Sequence, residues 1–385
     1  MPNNSTYDNL QTVASQVERN PSVDTRRYWL GVMLFILALV IANAMLVLAS
    51  LRTEGGEPRI AYIKLTNSTS GELWISDLSG ENSERLSRSN QQVQGVDVAP
   101  DGRILVYSVQ EATNTNNLWR VQSNGRKATQ LTNDAEVVYG QAIFSPSGDL
   151  LATEFFDIGQ SQQAGDNLET PRIELRRPSD GSPAGLVYGG EGDIAHTPRW
   201  SPDGTKLAFF EVNRNAMGIF NFTPDVRFFS VNSNWLSPQC WSPDGKALVY
   251  NSLFLSERGA NQSLVVRDLQ SDNEKVLVEN INTNTQPAWN PDGTVIAYNY
   301  LPSLGTSGSS IRLIEPDGSN ERTLVAELYV TYSAPLWSPD GEWLLFGRID
   351  PASGVPPTRS IWVVRRDGSD LYEVAETGIQ ATWVP

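Results

Sequence analysis

Short runs of alternating hydrophobic and polar residues, separated by turns rich in Gly, Pro and Asp, cover the chain from residue 58 to residue 385. Runs of this length with a period of two predict short β-strands that are buried on one side. One unit shows the order clearly, with strands predicted at 287–289, 295–298, 310–314 and 322–325. The pattern therefore predicts an all-β fold built from units of four strands.

A recurring turn follows the first strand of each unit. It consists of an aromatic residue and then Ser-Pro-Asp-Gly or a close variant. Proline presets the backbone for such a turn, Asp can accept hydrogen bonds from the local backbone, and Gly accepts a positive φ. Two copies depart from the pattern, with Val98 and Ala99 replacing Trp and Ser, and with Ser147 replacing Asp. The prolines of the repeat are Pro100, Pro146, Pro202, Pro243, Pro291, Pro339 and Pro385.

A repeat of about 40 to 50 residues with four short strands is typical of the blades of a β-propeller. Residues 58–89 contain a predicted second, third and fourth strand without a first strand, and residues 381–383 provide a first strand alone. Pairing these segments completes one blade and leaves no free sheet edge. We therefore expect a seven-bladed β-propeller over residues 58–385, closed by its N- and C-terminal strands, with an inserted loop near 157–171.

The repeated phrase resembles the repeat of TolB-like propellers, which are related to WD-repeat propellers. The resemblance covers residues 58–385 and rests on six recurrences in register, four of which keep the complete phrase beginning at Trp200, Trp241, Trp289 and Trp337. It implies the fold, with these tryptophans and Trp383 in the core between blades. It also implies an exported location, because TolB-like propellers are commonly exported.

An uncharged apolar segment lies ahead of the repeats, at residues 28–51. About 20 such residues span a bilayer as a helix. The segment is longer than the usual core of a cleaved signal peptide, which is the alternative interpretation. Arg26 and Arg27 directly before it favour a cytoplasmic N-terminus. We expect a disordered polar tail (1–27), a transmembrane signal anchor (28–51), a linker (52–57) and a propeller (58–385) on the periplasmic or extracellular side of the cytoplasmic membrane.

Composition excludes several classes of function. The formal net charge is −15 and the 1–27 tail contributes none of it, so an acidic propeller would be repelled by nucleic acid. The single cysteine, Cys240, excludes an internal disulfide framework and a cysteine-rich metal site. We expect it to be a small buried residue beside Trp241.

The sequence offers little for catalysis. A Ser-His-Asp or Cys-His arrangement would have to recruit the only histidine, His196, and no Gly-x-Ser-x-Gly turn supplies a serine. Prolyl peptidases join such a propeller to an α/β-hydrolase domain, whereas the last residue here is expected to close the ring. Oligogalacturonate lyases, whose fold is also similar, use a histidine-rich metal centre. We therefore expect no enzyme activity and no cofactor, with a propeller-type hydrolase or lyase as the less favoured alternative.

The repeated turn aspartates raise the hypothesis of a calcium site. Calcium needs six to eight oxygens at one point, whereas these residues occupy equivalent places in separate blades. We therefore interpret them as structural turn residues and predict no metal site. The residues concerned are Asp101, Asp203, Asp244, Asp292 and Asp340.

The remaining candidate is a polar rim formed by the loops that lead into the first strands. A solvated loop face without a ligand is the alternative. The predicted function is a non-enzymatic scaffold that binds membrane or envelope proteins, or a glycan, and the alternative is an accessory subunit of a larger membrane complex. The residues predicted to bind a partner are Gln94, Gln141, His196, Gln286, Ser333 and Gln380.

Overall fold

The computed structural model describes residues 58–67, 70–111, 115–158, 171–189, 193–222, 226–230, 239–256, 259–281, 286–301, 308–354 and 357–385. The chain divides into two units, and all of these residues belong to the second, Glu57–Pro385. The predicted tail, transmembrane segment and linker lie outside the described residues, as does most of the loop predicted near 157–171. No helix within the described ranges has the length and apolar character needed to cross a membrane.

The described residues fold almost entirely as β-strands, with one 3₁₀ turn at Pro351–Ser353. The strands in chain order are β1 (Arg59–Leu65), β2 (Gly71–Ser76), β3 (Glu84–Arg85), β4 (Gln92–Val98), β5 (Ile104–Gln110), β6 (Asn116–Gln122), β7 (Thr129–Gln130), β8 (Val137–Phe144), β9 (Leu151–Asp157), β10 (Arg172–Arg176), β11 (Pro183–Tyr188), β12 (Ala195–Trp200), β13 (Leu207–Glu211), β14 (Ala216–Phe220), β15 (Val226–Ser230), β16 (Cys240–Trp241), β17 (Ala247–Ser256), β18 (Gly259–Asp268), β19 (Glu274–Ile281), β20 (Ala288–Trp289), β21 (Ile296–Tyr300), β22 (Ser310–Ile314), β23 (Arg322–Ala326), β24 (Thr331–Trp337), β25 (Trp343–Asp350), β26 (Thr358–Arg365), β27 (Tyr372–Ala375) and β28 (Ile379–Val384).

The strands pair in groups of four, as predicted, but the groups are not all separate sheets. Four of them, β12–β15, β16–β19, β20–β23 and β24–β27, form separate four-stranded blades. The other three groups are joined in one twelve-stranded sheet. The first consists of β28 together with β1–β3, the second of β4–β7 and the third of β8–β11. The prediction of seven separate blades is therefore corrected to four blades and one larger sheet in a ring. The reason is local, because single residue pairings (Gly71 with Val93, and Asn116 with Val138) bridge neighbouring groups.

The predicted pairing of the two outermost repeat segments is confirmed. β28 pairs antiparallel with β1, so that Ile60 lies opposite Trp383 and Arg59 lies opposite Val384. Ile60 and Trp383 are both buried, in a hydrophobic cluster that also contains Trp343. This pairing connects the first and last strands of the described propeller.

The tryptophans of the repeat join neighbouring groups of strands. Four of them donate an indole N–H to a main-chain carbonyl of the preceding group, at 3.0–3.3 Å. In each case the acceptor directly precedes the aromatic residue of the preceding repeat. Trp289 differs, since its indole donates to the Gly293 carbonyl in its own turn. The four pairs are Trp200 with Ile143, Trp241 with Arg199, Trp337 with Ala288, and Trp383 with Leu336.

The repeated turns use their polar side chains within the turn. In one of them the Ser201 hydroxyl donates to Asp203 at 2.6 Å, and Asp203 also accepts the Thr205 N–H at 3.0 Å. These bonds hold the pKa of Asp203 at about 2, with the Ser201 bond as the largest cause. The face of the ring that carries these turns, here called the turn face, therefore uses its aspartates for structure, as predicted. The opposite face is here called the rim.

Candidate binding site at the rim

The predicted rim residues lie where the first strands of the groups are interrupted. Gln94, Gln141 and Gln380 occupy β-bulges in β4, β8 and β28, while His196 and Ser333 are the last paired residues before bulges in β12 and β24. The first strands of the remaining two groups begin only at Cys240 and Ala288, just after the rim. Bulges redirect side chains and end regular pairing, so the first strands share a non-regular section at the rim.

Gln94 and Gln380 lie on neighbouring first strands, at one part of the rim. Gln94 donates to the Gln110 side chain at 3.0 Å and accepts from the Asn116 amide at 2.8 Å. Gln380 is exposed with a positive φ of 49°, and its side-chain oxygen lies beside Gly95. A Cβ on Gly95 would lie 3.6 Å from that oxygen, an ordinary contact, and 3.1 Å from the Ser108 hydroxyl, which is closer than usual.

Gln141 and His196 meet a group of charged side chains that the sequence analysis did not identify. Arg199 donates to the Gln141 side-chain oxygen at 3.2 Å, and His196 Nδ1 lies 3.8 Å from a Glu154 carboxylate oxygen. Asp97 on β4 is the fourth member of this set, because its charge interacts with that of Arg199. We call Asp97, Glu154, His196 and Arg199 the central cluster.

The central cluster combines opposite charges at partly buried positions. Burial lowers the pKa of Arg199, and the carboxylates of Glu154 and Asp97 act in the opposite direction. Burial is also the largest effect on Asp97, whose pKa is raised to about 6 despite hydrogen bonds from the Phe144 and Val98 main chain and the charge of Arg199. Perturbed carboxyl groups beside a fixed cation are typical of binding and catalytic sites, although structural ion pairs show them too.

The backbone of the β12 bulge is held by side chains of the neighbouring groups. Glu154 accepts the Thr197 main-chain N–H, and the buried Gln239 amide donates to the Thr197 carbonyl at 2.8 Å. Thr197 has a positive φ of 53°, which is unfavourable for a β-branched residue. These bonds stabilise that conformation and fix the direction of His196, the preceding residue.

Cys240, which was expected to be buried, is half-buried and packs beside Trp241, which is buried. Its thiol donates to the Trp241 carbonyl at 3.4 Å and accepts the Trp289 main-chain N–H at 3.4 Å. Burial raises the pKa of the thiol, so it is a weak nucleophile at neutral pH. Within the ranges that the structure describes, no three His, Cys, Asp or Glu side chains are grouped to hold a metal ion.

Gln286 and Ser333 are exposed and lie apart from the central cluster. Near Ser333, the loop before β24 presents Leu328 and Tyr329, whose exposed fractions are 74% and 67%. The loop is fixed on both sides: Glu327 accepts from Arg348 at 2.8 Å and from the Tyr332 hydroxyl at 2.9 Å, and the Val330 carbonyl accepts the Ser309 N–H at 2.8 Å. The rim therefore includes an exposed apolar pair on a rigid turn.

A comparison of equivalent repeat positions could have revealed part of the central cluster. The residue directly before the repeat aromatic is Ile143, Ala288 or Leu336 in three units, but Asp97 and Arg199 in two others. Charged residues at a mostly apolar position are informative. Glu154 gave no such signal, because its distance from His196 depends on how two groups of strands pack.

Replacing Asp97 by Asn tests the electrostatic description. The pKa of the Asp97 carboxyl group rises from about 4 to about 6 on folding. The protonated group therefore stabilises the fold below pH 4, and this stabilisation is lost as the pH rises to about 6. The Asp97→Asn variant should lack this loss, which amounts to at most about 3 kcal/mol, because its amide oxygen can still accept the Phe144 N–H. Urea unfolding of both proteins between pH 4 and 7.5 measures the difference in the free energy of unfolding.

Asp203→Asn provides the matched control. The lowered pKa of Asp203 contributes stability that is complete above about pH 4 and is lost only as the pH falls towards 2. The control should therefore be less stable than the original protein by a constant amount over the same range. Equal pH slopes for the Asp97→Asn variant and the original protein would contradict the assignment of a raised pKa to Asp97.

Comparisons with known proteins support the fold. No family model matches the chain, and no curated protein matches it. TolB from Acinetobacter baumannii is 15% identical with a TM-score of 0.51, over 88% of this chain and 85% of that one. A protein described as a putative 6-phosphogluconolactonase from Bacteroides fragilis is 13% identical with a TM-score of 0.57, over 86% and 98%. A prolyl endopeptidase is 12% identical with a TM-score of 0.60, over 86% of this chain and 49% of that one. At these identities the similarity concerns the fold alone, and the chain has a TolB-like β-propeller fold.

Proposed function

We propose that this chain is a membrane-anchored, non-enzymatic β-propeller that binds a protein partner through its rim. In this proposal the twelve-stranded sheet acts as three blades, so that the ring has seven. Residues 28–51 anchor it as a single-pass helix, and the propeller lies in the periplasmic or extracellular space. The observation that carries the proposal is the contrast between the two faces of the ring.

On the turn face, the aspartates and serines of the repeated turns are bonded within those turns and are therefore not free to bind a partner. Asp244 and Asp340 repeat the arrangement of Asp203, each accepting from the serine of its turn and from a main-chain N–H. At the rim, in contrast, the side chains of Gln286 and Gln380 are exposed. Exposed amides on a rigid scaffold can bond to a partner without first breaking structural bonds.

The pair Leu328 and Tyr329 favours a protein as the partner. Large exposed apolar side chains are typical of protein interfaces, where tyrosine often contributes a large share of the binding energy. Tyr329 has a positive φ of 66°, a conformation that costs free energy for a residue other than glycine. A strained residue that exposes an aromatic ring supports a binding role for this turn.

The absence of catalysis is proposed from the residues and not from the fold, because TolB and enzymes share this fold. Cys240 is half-buried, the pKa of its thiol is raised, and its two bonds are to main-chain groups. The only histidine is 3.8 Å from Glu154, beyond hydrogen-bond distance. These features suit a binding site better than a nucleophile with its base.

The proposed anchor and orientation can be tested by protease treatment of intact cells. β1 begins at Arg59, which pairs with Val384 at the end of β28, and both residues lie on the turn face. The first described strand of the propeller therefore begins on the face opposite the rim. We expect an external protease to digest the propeller in intact cells or in cells with a permeabilised outer membrane. Digestion only after lysis of the cytoplasmic membrane would contradict the orientation, and release of the chain by high salt or alkali would contradict the anchor.

Partner capture tests the proposed face. Tyr329→Ala combined with Gln286→Arg should reduce capture of the native partner by about tenfold or more, because it removes an exposed ring and adds a charge at the interface. The partner is identified by crosslinking and mass spectrometry from detergent-solubilised membranes. Capture is then measured with purified components, and thermal unfolding is measured in parallel.

Tyr372→Ala is the matched control, because this tyrosine is also exposed, by 46%, but lies on an outer strand away from the rim. It should leave capture unchanged. Equal capture by the rim variant and the original protein would contradict the proposed face. Stoichiometric recovery in a large complex would favour the alternative of an accessory subunit, and binding only to a polysaccharide would contradict a protein partner.

A further inference from the structure

A cavity opens on the turn face where two adjacent units depart from the repeat. It has a volume of about 590 Å³ and lies between the group β4–β7 and the group β8–β11. Its lining includes Ala99, where other repeats have Ser or Asn, and Phe144 and Ser147, where other repeats have Trp and Asp. The cavity therefore coincides with the departures that the sequence shows.

The missing indole explains part of this space. In other units the repeat tryptophan shares a hydrophobic cluster with the residue directly before the second strand of the preceding group, as Trp200 does with Leu150 and Trp337 with Val295. Phe144 occupies this place against Ile104, but its ring is smaller. It also lacks an indole N–H, and the Phe144 main-chain N–H donates to the Asp97 carboxylate at 2.7 Å instead.

The floor of the cavity is apolar. Ala99 and Phe144 are buried, and Ile104 packs against them in the same cluster. Pro178, which is also buried, lies at the wall. Natural ligand sites are concave, mainly apolar and of about 300–1,000 Å³, and they hold few polar groups. The cavity matches this description in size and character.

Two guanidinium groups line the cavity without a carboxylate partner. Arg120 donates to the Pro178 carbonyl at 3.0 Å, and Arg177 donates to the Pro183 carbonyl at 3.2 Å. Neither is among the ion pairs of the described residues, whereas most arginines of this acidic chain that line its outer strands are paired, such as Arg267 with Glu274 at 2.6 Å. The pKa of the nearby Asp180 is lowered mainly by hydrogen bonds from Ser182, and only in smaller part by Arg177.

The two carboxylates at the cavity are already bonded within their own turns. Asp101 accepts the Arg103 main-chain N–H at 3.0 Å, and its other oxygen lies 3.9 Å from the Arg103 side chain. Asp149 accepts from the hydroxyls of Ser145 and Ser147. These bonds hold both side chains in their turns but leave their charges in place, so the lining carries two carboxylates and two guanidinium groups.

We propose that this cavity binds a small molecule that combines a flat apolar ring with an anionic group. The ring lies over Phe144 and Ile104, and the anion meets the guanidinium groups of Arg120 and Arg177, which can bond a carboxylate in a planar, two-point manner. The site is on the opposite face from the proposed partner-binding rim, so it is independent of that function.

Titration calorimetry with 1-naphthoate as the probe tests the site, using the propeller-containing full chain in detergent. We expect saturable binding at one site, and binding of the uncharged 1-naphthalenemethanol to be weaker by about fivefold or more. Arg120→Gln and Arg177→Gln should each weaken naphthoate binding by about threefold or more. Arg126→Gln, which removes a charge from an exposed turn of the same group of strands outside the cavity lining, is the control and should bind as the original chain does.

Phe144→Trp provides a second and independent test. It restores the tryptophan of the repeat, whose indole would occupy the floor of the cavity, so binding should be lost while the thermal unfolding temperature stays the same or rises. The arginine variants keep the test valid if this variant does not fold. Absence of saturable binding up to about 10 mM, a range that covers very weak ligands, would overturn the proposal. Binding that is unchanged in both arginine variants would also overturn it.

Discussion

The antiparallel pairing of β28 with β1 is the constraint on which the ring depends. It brings Trp383 against Ile60 and buries both in one hydrophobic cluster. Without it, each of these strands would expose an unpaired edge, which favours aggregation. Closing so large a loop costs conformational entropy, but that cost rises only slowly with length and is offset by the burial. Closure also makes the first strands converge, so that residues far apart in sequence meet at the rim.

The central cluster places opposite charges at partly buried positions, and this favours the proposed binding role. Removing charges from water is unfavourable, and apolar residues of similar size are often at least as stable in such places. The equivalent positions in other units hold Ile143 and Ala288, which shows that this strand position accepts an apolar side chain. Asp97 and Arg199 therefore occur where the repeat does not require charge. Arg199 bonds to Gln141 of the proposed rim, and the charge of Asp97 interacts with that of Arg199.

The sequence predicted most of the fold because the repeated turn is determined by local chemistry. The strand predicted at 310–314 matches β22, and the turn aspartates bond as expected for structural residues. The separation into seven sheets was wrong, because two backbone bridges depend on how closely neighbouring groups approach. The rim positions were predicted from their place before each turn. The contact of Glu154 with His196 was not, since it depends on the packing of different repeats, which a periodic pattern does not describe.

The contrast between rim and turn face is tested most directly by site-specific photocrosslinking in cells that produce the chain naturally. A photoreactive phenylalanine derivative would replace Gln286 or Tyr329 on the rim, and Thr205 or Glu342 in exposed positions of the turn face. The proposed function predicts one discrete crosslinked partner from both rim positions and none from the turn positions. Crosslinking of that partner from Thr205 and Glu342, with none from the rim, would contradict it.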